Sequence, residues 1–195
     1  FPAVLANGGA AVSGPDAVEP GADAGGLGDD PLQRVADNAL DVLAGVARSE
    51  AKLAAVKARA VQVLAAATSV VNGPPSSPQE ATAQDRSLVA EVGCALVIGD
   101  RAAAALLAES HALATALPRT LAALGSGTIS WQHAREMVDQ TVGLDRAGAA
   151  ALEAHFLDPD TPRPAGAATI GEMPAYRFKA KARTWRERHH PESLE

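Results

Sequence analysis

The chain has 195 residues, a formal net charge of -6 and a single cysteine, and 45 of its residues are alanine against six aromatics. That length suits one domain of ordinary size or two small ones, and it is too short for a large multi-domain enzyme. Cys94 alone excludes an intrachain disulfide framework and a zinc site on paired cysteines; nothing calls for an oxidising compartment, and a cytoplasmic location is expected.

Charge is unevenly placed. Residues 1 to 30 carry Asp16, Glu19, Asp23, Asp29 and Asp30 and no base, whereas residues 177 to 195 hold six Lys or Arg against three Glu. An acidic body with a basic end confines any contact with DNA to a local patch. The longest apolar stretches are interrupted by Gln62, Arg101 or Glu109, short of the roughly 18 to 20 residues that a membrane span needs, so no membrane partner is expected. The first residues lack a basic segment followed by an apolar one, and a start at Phe1 reads as a piece cut from a longer protein.

Alanine has the highest helix propensity, and the prediction is an all-α fold: a long N-terminal helix or helix pair, then a bundle of shorter helices, with no sheet. Residues 1 to 29 mix seven glycines with Pro2, Pro15 and Pro20 and hold too little apolar mass to repay ordering, which predicts a disordered leader before a helical domain over 30 to 195. Asp30 and Pro31 signal a helix start. Alternate steps of three and four residues then give Leu32, Val35, Ala39, Val42, Val46, Ser49, Leu53, Val56, Ala60, Val63, Ala67 and Val70. This heptad predicts a helix over 30 to 71 that either breaks between Gly45 and Ser49 or pairs with something. Burial against the chain's own later helices is the first expectation for the seam, and self-association is the alternative.

A Pro-rich loop is predicted over 72 to 79, followed by helices Glu80 to Ile98, Arg101 to Leu117 capped by Asp100, and a brief turn of helix from Pro118. Ser130 is expected to cap Trp131 to Val142, and Asp145 a helix ending near Leu157. Thr169 and Glu172 have capping-box spacing for the last helix, with Pro174 delaying its start to about Met173.

The search for chemistry is mostly negative. The five histidines, His111, His133, His155, His189 and His190, include no pair four residues apart, and there is neither a phosphate-cradling loop nor a nucleophile elbow. The segment 85 to 117 has the outline of a helix-turn-helix, but its second helix offers only Arg101 and His111 to base edges, so a packing helix is the expectation. On the last helix Phe178, Ala182 and Trp185 form an apolar stripe. Arg177, Lys181 and Arg188 flank one side of it, and Lys179, Arg183 and Arg186 the other. These six bases are the candidate contacts to DNA phosphates; the alternative is a solvated helix whose long stems cover apolar surface. His189-His190-Pro191 has the start of an HNH nuclease motif without the residues that complete it, and a histidine pair at a helix end explains it.

Three segments together carry a family likeness: Ser-Leu-Val-Ala-Glu-Val-Gly-Cys-Ala-Leu at 87 to 96, Leu-Pro-Arg-Thr-Leu-Ala-Ala-Leu-Gly-Ser-Gly-Thr-Ile-Ser-Trp-Gln-His-Ala at 117 to 134, and Arg-His-His-Pro-Glu-Ser-Leu-Glu at the end. The chain resembles the helical domain of unknown function 222, found N-terminal to an HNH nuclease module in proteins of high-GC Gram-positive bacteria. The resemblance implies a DNA-directed protein whose catalytic residues, and any divalent metal, lie in a module beyond residue 195; it assigns no catalytic residue, cofactor or metal ligand to this chain. Two functions then compete. One is a non-catalytic domain that positions or regulates an HNH endonuclease on DNA. The other is a protein-interaction or homodimerisation module built on Leu32, Val35, Val42, Val46, Leu53, Val56, Val63 and Val70.

Overall fold

In the computed structural model, residues 31–162 and 168–194 are described. The leader expected over 1 to 29 and the cap expected at Asp30 lie outside them. The chain divides into two compact units, Phe1–Asn38 and Ala39–Glu195. Of the first, the described residues are helical and exposed. The second contains the cores.

The fold is all-α with a long N-terminal helix, and no strand occurs among the described residues. Helix α1 spans Pro31–Asn72 without a break. Ser49 lies within the helix with its hydroxyl donating to the Gly45 carbonyl at 2.9 Å, one turn back, and of the two alternatives the break at 45 to 49 does not occur. Gly73, at φ +69°, ends the helix. The remaining helices are α2 (Pro78–Leu96), α3 (Asp100–Thr115), α4 (Pro118–Ser126), α5 (Trp131–Thr141), α6 (Arg146–Leu157) and α7 (Ala175–His189).

The side of α1 that packs is not the side its heptad advertised. Ala51, Ala55, Ala58 and Val61 are buried. The seam is exposed at every large residue: Leu32, Val35, Val42, Val46, Leu53, Val56, Val63 and Val70. At 100° per residue the buried stripe and the seam lie on opposite faces of the helix, so the expected burial against later helices is overturned. The reason is close approach. A Cβ on Gly125 of α4 would sit 3.8 Å from the Ala55 Cβ, and one on Gly127 would sit 3.0 Å from the Arg48 carbonyl oxygen. Small residues let these backbones come together where Leu and Val would hold them apart. The exposed Leu and Val side chains forgo roughly 1.5–3 kcal/mol each that full burial would supply. By length and composition α1 is also apolar enough to cross a membrane; Gln62 does not interrupt it as expected.

Two clusters form the interior of the second unit. The larger joins Ala51 and Ala55 to Leu113, Leu117, Leu124, Met137, Leu152, Phe178 and Ala182; the smaller holds Val61, Val92, Ala103 and Leu106. Polar links fix the helix ends around them. Glu153, only 2% exposed, accepts from the Thr120 backbone N–H at 2.6 Å and from its hydroxyl at 2.8 Å. A carboxylate is thereby buried at the start of α4, where orphan N–H groups and the helix dipole favour negative charge. His133 receives Ser130 in the capping box of α5 and meets the Met173 carbonyl through Nε2 at 2.8 Å. A carbonyl only accepts, so Nε2 carries the hydrogen and Nδ1 accepts from Ser130.

Several boundaries shift for local reasons. Ser77, rather than Gln79, precedes α2: its hydroxyl accepts from the Glu80 N–H, and Pro78 occupies the first turn. The helix closes at Val97, which takes φ 54° while its neighbour Ile98 donates to the Gly93 carbonyl. Gly99 then caps α3 in place of Asp100. The Thr169–Glu172 box closes a 3-10 turn, Ile170–Glu172, and α7 begins only after Pro174. That turn is held tightly, since a Cβ on Gly171 would fall 1.9 Å from the Thr128 carbonyl oxygen.

Candidate nucleic-acid interface

The bases of α7 are placed by the stripe between them. Phe178 and Ala182 are fully buried and Trp185 is half-buried, as the spacing predicts. Phe178 meets Phe156 of α6 edge-on at 5.1 Å, Phe156 meets His155 at 4.7 Å, and His155 lies 5.9 Å from Trp185. His189 stacks on Trp185 at 4.3 Å, and its Nδ1 lies 2.7 Å from the Trp185 carbonyl oxygen. A run of rings thus leads from the core to the surface and fixes the roll of α7 about its axis.

That roll divides the six bases. On one side, Lys179 pairs with Glu136 at 3.0 Å and Arg183 with Glu187 at 2.8 Å. Arg186 is only 9% exposed. Its place as a phosphate contact is corrected accordingly, because a guanidinium packed into the protein has no face left for an outside anion. On the other side Arg177, Lys181 and Arg188 are exposed, and none of the ion pairs among the described residues involves them. Arg177 lies 5.9 Å from the Tyr176 ring centre, a cation–π contact that leaves its charge available. From Arg177 to Arg188 the helix advances about 16 Å, the rise of roughly five base pairs.

Beside this open side is a cleft of about 520 Å³, lined by His155, Phe156, Lys181, Thr184, Trp185, Arg188 and His189 among others. Its floor is aromatic and two of its walls are cationic. His155 and Trp185 belong to different helices; the sequence placed Trp185 beside Lys181 and Arg188 on α7, but nothing in it marked His155 and Phe156 of α6 as joining them. His190 lies against Gly148 at the start of α6, where an added Cβ would meet its ring at 3.0 Å; it serves packing there.

The other sequence candidates are placed plainly. On α3, Ala103, Leu106, Ser110 and Leu113 face inward, and the exposed face is alanine apart from Asp100, Arg101, His111 and Thr115. Glu109 at its rim is bound to Arg135 at 2.7 Å, a contact that holds the guanidinium pKa above its ordinary value. Among the described residues no three of His, Cys, Asp and Glu gather closely enough to hold a metal ion. No family model, curated protein or solved structure matches this chain.

Proposed function

We propose that this chain is the non-catalytic helical domain of an HNH-endonuclease-like protein, and that it holds that protein on DNA through phosphate contacts. The observation that carries the reading is the split of α7: three cations, Arg177, Lys181 and Arg188, stand exposed on one side, while those on the other are paired or buried. Contacts of this kind position a protein without reading sequence. The likeness to domain 222 supplies the nuclease context, and the chemistry of cutting belongs to a module outside this chain.

With about three phosphates neutralised, affinity for duplex DNA is expected to fall about 40-fold between 50 and 200 mM salt. The combined variant R177E/K181E/R188E loses retention on duplex DNA at low salt, whereas K179E/R183E, altered where charge is already paired, retains most of it. Unchanged retention in the first variant removes the proposal.

A second reading, a protein-interaction module, is favoured by the exposure of the α1 seam. Eleven of the fifteen exposed large hydrophobic residues among the described positions belong to α1, a concentration of uncovered apolar surface that marks interaction sites in monomers.

A further inference from the structure

We infer that the outward face of α1 over Ala39–Val70 is covered by the same face of a second copy of this chain, running antiparallel, an inference that rests on the interaction-module reading. The heptad defines the mating surface: Leu53, Val56, Val46 and Val63 at its centre, directly opposite the alanine stripe that the helix buries in its own bundle. A helix committed on one face and apolar at a 3.5-residue period on the other is built to receive one further helix. Residues 39 to 70 present a strip about 48 Å long and 10 Å wide, roughly 500 Å² per copy, so a pair reaches the ~1,000 Å² at which specific interfaces begin.

Charge and volume choose the orientation. Glu50 and Lys57 are exposed on one flank of the seam, and none of the ion pairs among the described residues involves them. On the other flank, Lys52 and Arg59 lie over Gly127 and Gly125 of the bundle. In an antiparallel pair like flanks face each other, so Glu50 meets Lys57 of the second copy, twice by symmetry. On the other flank the antiparallel pair sets Lys52 near Arg59 of the second copy, whereas a parallel pair would set Lys52 against Lys57 of the second copy, twice, with like charge and without the Glu50–Lys57 attraction to offset it. Antiparallel layers centred between Leu53 and Val56 also match large with small at the ends: Ala39 with Val70 and Val42 with Ala67, while Val46 meets Val63 and Ser49 meets Ala60. Parallel layers would place Ala39, Ser49, Ala60 and Ala67 each against itself, leaving voids.

The test uses the whole chain with Cys94→Ser, which removes the exposed native thiol. Sedimentation is expected to show a concentration-dependent dimer that L53E/V56E dissociates, with helicity by circular dichroism kept because both side chains lie outside the core. Mild oxidation of mixed V46C and V63C chains is expected to join one variant to the other and neither to itself. Self-crosslinking of either variant overturns the antiparallel register and leaves the interaction-module reading standing. A monomer at ~100 µM, or a dimer that survives L53E/V56E, overturns the second copy as occupant; a monomer that floats with lipid vesicles does so in favour of a bilayer.

Discussion

Helices α1 and α7 each lie along the bundle by one stripe, and they do so by opposite means. In α7 one large side chain, Phe178, is fully enclosed, and the surface turned outward is cationic. In α1 the enclosed residues are three alanines and Val61, and the surface turned outward is Leu and Val. A helix need not bury its most apolar face; it buries the face whose shape fits, and the other is left to meet something of its own chemistry. In the readings proposed above, α7 would meet a polyanion and α1 another apolar helix.

The largest effect should come from the enclosed ring. Phe178→Ala is expected to lower unfolding free energy by about 3–5 kcal/mol, read from denaturant midpoints, because the cavity opens in the aromatic run that seats α7. A loss near zero would mean that α7 is held by its rim instead. For α1 the usual ranking inverts: Ala55→Leu should destabilise by about 1–3 kcal/mol through overpacking against Gly125, whereas Leu53→Ala, measured under dilute conditions, should stay within about 0.5 kcal/mol. Equal losses would dissolve the contrast between the two faces.

Smaller differences separate the two sides of α7. Lys179→Ala should cost about 0.5–1 kcal/mol through its pair with Glu136, and Lys181→Ala less than that. Smallest is the acid limb. The Thr169 backbone and side chain hold the Glu172 carboxyl below its ordinary range of about 4.5, and Ser76 does the same for Glu80. A carboxyl whose pKa falls on folding stabilises the fold above about pH 4.5 and loses that contribution as pH drops through its lowered value. E80Q/E172Q should therefore lose less melting temperature than the parent chain between pH 5 and pH 3, most visibly at the turn that leads into α7.

Much of the fold was legible because it is written in local signals. Ser130, Asp145, Pro118 and Gly127 punctuate the chain where capping and turn chemistry demand, and the stripe of α7 follows from helical spacing. The heptad of α1 was legible as a pattern but not as a direction. Leu and Val carry more apolar area than Ala, so transfer energy alone points them inward, and only the glycines of another helix, some seventy residues away, decide otherwise. The alanine stripe at 51, 55 and 58 was itself heptad-spaced and open to the same reading. On α7, sequence gave all six bases equal standing; Glu136 lies on another helix, and its claim on Lys179 has no sequence signature. The cleft was hidden for the same reason, since His155 and Trp185 meet only after folding.

Trp131, the first residue of α5, touches both apolar clusters at once. One indole shared by two cores couples their melting, because opening either strips contacts from the side chain that steadies the other. The second unit should then unfold in one cooperative transition, with hydrogen exchange in α2 and α3 tracking that in α5 and α7. Trimming Trp131 to alanine would weaken that coupling and lower the transition midpoint, while α1 and α3, which contribute to both clusters, still join them.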